Sequence, residues 1–380
     1  MDFELGEDQK LMAEAAREFA EKKLMPIAEK MDEAEEVPKE IYTELAELGY
    51  FGMLLPEEYG GLDLDSLSYA CAMEELARGS ASVMVGLSVH NSLCCRAIYE
   101  YGSEFLKKKY LQKMAAGEII GSYCLSEPGA GTDAGSLRTT ADEKGGGFLL
   151  NGTKSWITSA GFANIFIVFA LTDRAAGHHG ISCFLVDRDT PGLNIGAKEK
   201  KMGLKPSDTR EVSFIDCRIP GENLVGEKNK GFPIALSLLD NGRIGIAAQA
   251  VGIAQAAFEE AFKYAHEREQ FGQPIAHFQA IQFKLSDMAL KIEAARLLTH
   301  KAAVLKDRGR STKYCSMAKL FASETANWVA NQAVQIHGGY GYVKEYAVER
   351  YFRDARVTEI YEGTSEAQRI VIYRNLCQKK

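Results

Sequence analysis

EIIGSYCLS, residues 118–126, is where the texture of this chain changes. Upstream, apolar residues recur at helical spacing. From here they come in short β-branched runs cut by glycine, asparagine, aspartate and proline. FLLNGTKSWIT (148–158), NIFIVFALTD (164–173), GISCFLVDRD (180–189) and REVSFIDCRIP (210–220) continue the pattern. Such runs predict an antiparallel β-domain of five to eight strands. No long helical pattern separates them, which disfavours a doubly wound parallel sheet.

Working outward, Leu11, Ala15 and Phe19 recur at i, i+4, i+8 and predict an amino-terminal helix. LDSLSYACAMEELARGS (64–80) predicts another, and LLPEEYGGLDLD (54–65) reads as a loop. Past residue 231 the 3.6-residue period returns. Leu285, Met288, Ile292, Ala295 and Ala302 mark one stripe, and Met317, Leu320, Phe321 and Trp328 another. The expected architecture is therefore α+β and multidomain: a helical domain (1–116), a β-barrel or sandwich (117–230) and a carboxy-terminal four-helix bundle (231–380). No internal repeat interrupts it.

A chain of 380 residues fits two or three domains packed together. Its net charge of −7 gives no electrostatic reason to expect nucleic acid or an anionic membrane as partner. No apolar run approaches the roughly 20 residues a membrane span needs. The acidic start, MDFELGEDQK, lacks the pattern of a leader, so a cytoplasmic protein is expected. The eight cysteines form no CxxC pair, and most sit in apolar surroundings, as small buried hydrophobes do in a reducing compartment. His178 and His179 share a polar loop, no HExxH occurs, and no metal is expected.

Six stretches could carry chemistry. YCLSEPGAGTDAGS (123–136) spaces its glycines as GxGxxxG outside a βαβ unit, so it is either an ordinary turn or a source of backbone N–H groups for a phosphate or heterocycle. KSWITSAG (154–161) places Trp156 and Thr158 on one face of a strand, either plugging the β-core or flanking a flat ring. LLDNGRIGIAAQAVGIAQAA (238–257) holds Asp240 and Arg243 on a small-residue helix. EREQFGQPIAHFQAIQ (267–282) holds Arg268 and Gln279, and the glycines of QIHGGYGYVKEY (335–346) break a helix. In IYEGTSEAQ (360–368), Glu362 sits in a short turn beside Gly363, with Ser365 and Gln368 spaced as a capping box.

Together, EPGAGTD, WIT, EREQFGQPI, QIHGGYG and IYEGTSE resemble the signature blocks of the acyl-CoA dehydrogenase family, above all its short-chain members, over essentially the whole chain. The resemblance implies noncovalent FAD, a homotetramer, an acyl-CoA substrate and electron-transferring flavoprotein as oxidant. By the same resemblance Glu362 is the catalytic base, and Tyr123, Leu125, Ser126, Trp156, Ile157 and Thr158 neighbour the flavin. Thr132 lies where cofactor and acyl-CoA meet; Asp240 and Arg243 lie near the nucleotide end of the CoA; Gly363 lines the acyl site. Arg268 and Gln279 reach the FAD of a neighbouring subunit, Phe271 and Ile336 bind the cofactor too, and Gln335, Gly338, Gly339, Thr364 and Glu366 match the remaining contacts to the FAD's pyrophosphate and adenosine parts. Relatives that supply the base from the helix near position 242 differ here, where that residue is glycine. His337 stands where phenylalanine or leucine is common, and Asn91 where some cyclic-acyl relatives are acidic.

The implied reaction takes a proton from Cα of a thioester and a hydride from Cβ. A carboxylate suffices as base when hydrogen bonds polarise the thioester oxygen, each such donor being worth ~3 kcal/mol. Desolvation raises the carboxylate pKa and sharpens the base. An acyl-CoA oxidase of the same fold, a dehydrogenase for branched or cyclic acyl groups, and a non-catalytic acyl-CoA or flavin carrier are the competing readings.

Overall fold

The computed structural model describes residues 4–309 and 312–377. Its first third is helical: α1 (Glu7–Phe19), α2 (Ala28–Ala34), α3 (Lys39–Glu47), α4 (Ser66–Ser88), α5 (Arg96–Tyr101) and α6 (Glu104–Ala115), with a π-helical turn over Val89–Cys95. The Asp65 carboxylate accepts the Ser68 N–H and starts α4, a cap worth about 1 kcal/mol. Helix α1 packs on α4 through Ala16, Phe19 and Ala20, so the expected stripe is corrected. Leu11 and Ala15 face solvent. The cause is close approach: a Cβ built on Gly79 would stand 2.8 Å from the Ala20 Cβ, and Arg17 reaches over to Glu75 at 2.7 Å.

The middle of the chain forms β1 (Gly121–Cys124), β2 (Thr140–Lys144), β3 (Gly147–Thr158), β4 (Ile165–Leu171), β5 (Ile181–Asp187), β6 (Leu193–Lys198), β7 (Thr209–Pro220) and β8 (Leu224–Val225). They make one eight-stranded sheet in the order β6-β7-β3-β2-β4-β5-β8, with β1 on β4. Most pairings are antiparallel, but β1 runs parallel to β4, and β2 meets β4 at one parallel pair, Thr140 and Leu171. A parallel pair needs a long crossover. Here the crossover contains the glycine-rich loop and the β2–β3 hairpin, which local periodicity cannot reveal.

Strand β4 explains why its sequence is apolar throughout. Ile165, Ile167 and Phe169 pack against helical residues such as Ile98, Leu111 and Leu238. Phe166, Val168 and Ala170 point the other way into the inner β-cluster. The strand alternates between two buried faces.

The last third comprises α7 (Gly231–Glu267), the hairpin β9 (Glu269–Gln270) and β10 (Gln273–Pro274), α8 (Gln279–Asp307), α9 (Thr312–His337), α10 (Val348–Val357) and α11 (Ser365–Cys377). Helix α7 is buried on nearly every side from Asp240 to Ala254, because α4 covers one flank and α8 and α9 cover others. Small residues make this possible. A Cβ on Gly252 would lie 2.2 Å from the Glu74 carbonyl oxygen of α4. The α8 stripe is buried as expected, but the α9 stripe is corrected: its buried face is Cys315, Ser316, Ala318, Lys319, Ala322 and their successors. Met317, Leu320, Phe321 and Trp328 are only half-buried, since an alanine-rich face packs closest to α7. No described helix is long and apolar enough to cross a membrane.

Candidate active site

The turn between α10 and α11 carries Glu362. Both Glu362 (φ 53°) and Gly363 (φ 90°) are left-handed, a conformation that costs a non-glycine residue about 1 kcal/mol or more. Thr364, not Ser365, caps α11: its hydroxyl accepts the Ala367 N–H at 3.2 Å, while the buried Ser365 hydroxyl meets no partner among the described residues. The N-cap is therefore one residue earlier than expected, and no capping box forms, because Ala367 at N3 has no side chain to return the bond. Gln368 spends its amide on the turn instead, donating to the carbonyls of Glu362 (3.1 Å) and Gly363 (2.9 Å). From α9 the Lys319 ammonium donates to the same Gly363 carbonyl at 2.7 Å.

The Glu362 carboxylate rests on α7. A Cβ on Gly242 would stand 2.5 Å from its Oε2, and that oxygen is shut off from solvent without a hydrogen-bond partner among the described residues. Burial pushes the carboxyl up to about 7, against the attraction of Arg243 and Lys319. Arg243 is itself buried and ion-paired with Asp240 at 2.7 Å, and Thr312 donates to the second Asp240 oxygen at 2.6 Å. The Arg243 Nε, the Asn241 amide nitrogen and the Ser316 hydroxyl are buried and unpartnered among the described residues. Tyr69 of α4, Cys94 of the π-turn and Tyr123 of β1 complete the surroundings, each feeling the Glu362 charge.

Tyr123 joins this centre to the β-domain. Beside it, the Ser122 hydroxyl donates to the Thr158 carbonyl at 2.7 Å, and the Ser155 N–H donates to Ser126 O at 2.9 Å. Tyr123, Leu125 and Ser126 thus run along the end of β3. There a bulge between Lys154 and Ile157 sets Trp156 at φ 65° and leaves the residue 64% exposed. Ile157 points into the β-core and Thr158 is half-buried, so the indole is no core plug. Beneath the glycine-rich loop lies a pair the sequence reading missed. Lys154, fully buried, meets Glu127 at 2.7 Å, and Glu127 also accepts the N–H groups of Arg138 and Thr139. Thr132 is exposed on the loop above, and Gly129 and Gly131 have open space beside them.

A second group gathers at the far end of the bundle. The Arg268 guanidinium lies 5.4 Å over the Tyr340 ring, which ties it to the turn at Gly338 and Gly339. Phe271 is 94% exposed with φ 53°, Gln279 and Gln335 are exposed, and Ile336 is buried. From Arg243 to Arg268 helix α7 climbs about 37 Å at ~1.5 Å per residue. The two groups are therefore far apart within one chain. Thr364 and Glu366 belong to the first, beside Glu362, and the Glu366 N–H, helped by the Thr364 hydroxyl, holds the Glu366 carboxyl low.

Comparison with known proteins gives the family. Models of the acyl-CoA dehydrogenase N-terminal, middle and C-terminal domains match residues 6–118, 122–217 and 229–377. The rat mitochondrial short-chain specific acyl-CoA dehydrogenase is 51% identical over 98% of this chain and 91% of its own. Butyryl-CoA dehydrogenase of Megasphaera elsdenii superposes with a TM-score of 0.97 at 46% identity, covering all of both chains. A chain solved in work on the electron transferring flavoprotein of Acidaminococcus fermentans and electron bifurcation gives 0.98 at 48%, again over both whole chains.

Proposed function

The chain belongs to the acyl-CoA dehydrogenase family, and on that premise we propose that it converts a short-chain acyl-CoA, such as butyryl-CoA, to the trans-2-enoyl-CoA with Glu362 as the base. It is a flavin-dependent oxidoreductase of fatty acid metabolism, and its cofactor is FAD. The residues fit that cofactor. An indole held out of the β-core by a left-handed bulge offers a flat, exposed face, on a strand end that carries Thr158 two residues on and pairs with Ser126 through the Ser155 N–H. FAD, when bound, supplies the acceptor for the β-hydride.

The chain's own residues do the rest. The Glu362 carboxylate takes the α-proton, and one observation carries this assignment: a solvent-free, unpartnered oxygen on a carboxyl pushed up to about 7. A base with its pKa near the working pH combines proton affinity with a large ionised fraction. The Glu362 N–H finds no backbone acceptor among the described residues, which suits it to polarise the thioester oxygen. Arg243 and Lys319 oppose burial and keep the ionised form accessible.

Two partner assignments and a setting complete the reading. Arg268, Phe271 and Gln279 serve the FAD of a second copy, supported by their distance from Glu362 and by the bare Phe271 ring, and the assembly is a homotetramer. Electron-transferring flavoprotein takes the electrons, supported by the likeness to the Acidaminococcus chain. Eight free cysteines, seven of them buried, support a reducing, cytoplasmic setting.

Anaerobic mixing with acyl-CoA thioesters from C4 to C16 tests the substrate class, with fastest flavin bleaching expected at the short end. Glu362→Gln should retain FAD and acyl-CoA yet lose at least ~10²-fold in the bleaching rate. A variant keeping more than about a tenth of the wild-type rate overturns the assignment of the base.

A further inference from the structure

Lys319 is the buried charge with the least evident reason to be there. It lies on the small-residue face of α9, fully shielded from solvent. An ammonium is costly to place in such a site. Burial pulls it down to about 8, with Arg243 adding to the penalty, while Glu362, Glu359 and Glu366 draw it back up. An apolar side chain of similar volume would fill the space at less cost.

What the ammonium touches gives the reason. Its contact is the carbonyl of Gly363, and that carbonyl belongs to two successive left-handed residues, the first of which is the base. Such a turn persists only where its surroundings over-determine it. Gln368 grips the turn from α11 and Lys319 from α9, so two helices hold one peptide. We propose that Lys319 is a positioning residue for the base: with Gln368 it clamps the Gly363 carbonyl, fixes the turn that aims Glu362 at the substrate, and sets a positive charge beneath the carboxylate. The inference rests on the reading of Glu362 as base.

The other groups facing Glu362 leave Lys319 as the decisive titratable charge. Tyr69 from α4, Cys94 from the π-turn, Tyr123 from β1 and Tyr361 from the turn itself are all pushed upward by burial and stay neutral at working pH. Arg243 from α7 is ion-paired with Asp240. Removing the Lys319 charge should therefore raise the Glu362 midpoint, since a lost cation disfavours the carboxylate.

The test uses the FAD-loaded enzyme and two readouts. Infrared difference titration follows the Glu362 carboxyl, its band assigned by absence in Glu362→Gln. Stopped-flow follows flavin reduction by butyryl-CoA. Lys319→Met should raise the infrared midpoint by about 1 pH unit or more and slow reduction at least ~10-fold. Lys319→Arg, which keeps the charge, should return the midpoint close to wild type. Should the methionine variant fail to fold, Lys319→Gln, a neutral donor, carries the same expectation for the midpoint. A folded neutral variant with an unmoved midpoint overturns the proposal, even if its melting temperature falls. Flavin reduction surviving in Glu362→Gln would instead remove the base reading, while the infrared shift still reports whether Lys319 faces that carboxyl.

Discussion

Gly242 stands where a methyl group would press on the Glu362 carboxylate. Its added Cβ meets the Glu362 Oε2 at 2.5 Å and the Leu93 Cδ2 at 3.3 Å, both ends of side chains that can swing. Alanine in a helix interior also gains about 1 kcal/mol over glycine. Gly242→Ala should therefore melt within a few degrees of wild type yet reduce its flavin about 10²-fold more slowly, because the carboxylate is displaced by the order of 1 Å. Calorimetry beside stopped-flow reads both quantities; equal rates would mean the carboxylate does not work from where it lies. Glu362 makes a second prediction. Its carboxyl sits at about 7 in the fold against an ordinary 4.5, so the folded state binds more protons than the unfolded between those values. Stability from this group is then lost as pH rises from about 4.5 to 7. The full gap corresponds to ~3 kcal/mol, trimmed by the solvent that reaches the rest of the side chain. Glu362→Gln should thus be the more stable protein at pH 8 and lose that advantage near pH 5. Urea unfolding at the two pH values decides, and a constant difference would contradict the buried carboxyl.

Two glycines on one helix separate side-chain clashes from backbone clashes. At Gly252 the added Cβ meets the Glu74 carbonyl oxygen at 2.2 Å, and that peptide belongs to α4. Neither helix can yield without moving the other, so Gly252→Ala should cost more than ~3 kcal/mol, most plainly seen as loss of soluble protein, where Gly242→Ala does not. A well-folded Gly252→Ala protein would show that α4 and α7 slide. At this scale the sequence was legible where size and spacing agreed. The stripe of α8 is large and apolar, and it is the buried one. Helices α1 and α9 misled because their closest contacts use alanine and serine, which carry little hydropathy signal and allow the shortest approach. The cap of α11 slipped by one residue because Thr364 and Ser365 are chemically alike, and only the left-handed turn before them decides which hydroxyl faces the helix. Lys319 had a signal: a lysine in register with Cys315, Ala322 and Ala326 lies on the buried face of its helix.

Across the whole molecule, the resemblance assigns Glu362 to one catalytic centre and Arg268 to the FAD of a neighbouring subunit, and folding puts the two blocks at opposite ends of the bundle. Pattern gives residue types and order; it does not give the length of the rod between them. Arg268→Ala should weaken FAD retention in a concentration-dependent way, a lost charged hydrogen bond costing about 1.5–3 kcal/mol. Size-exclusion and flavin release across a dilution series check this, and unchanged retention at every concentration would mean Arg268 touches no cofactor. Helix α7 thereby acts as a spacer whose length is quantised. Inserting one residue between Arg243 and Arg268 would lengthen it by about 1.5 Å but turn its far end by about 100°, swinging Arg268 off Tyr340. Even a seven-residue insertion, which nearly restores the bearing, would carry the far end outward by about 10 Å. Changes of length belong in the loops rather than in this helix, and a designer wishing to regraft either end must change α7, α8 and α9 together, in whole turns.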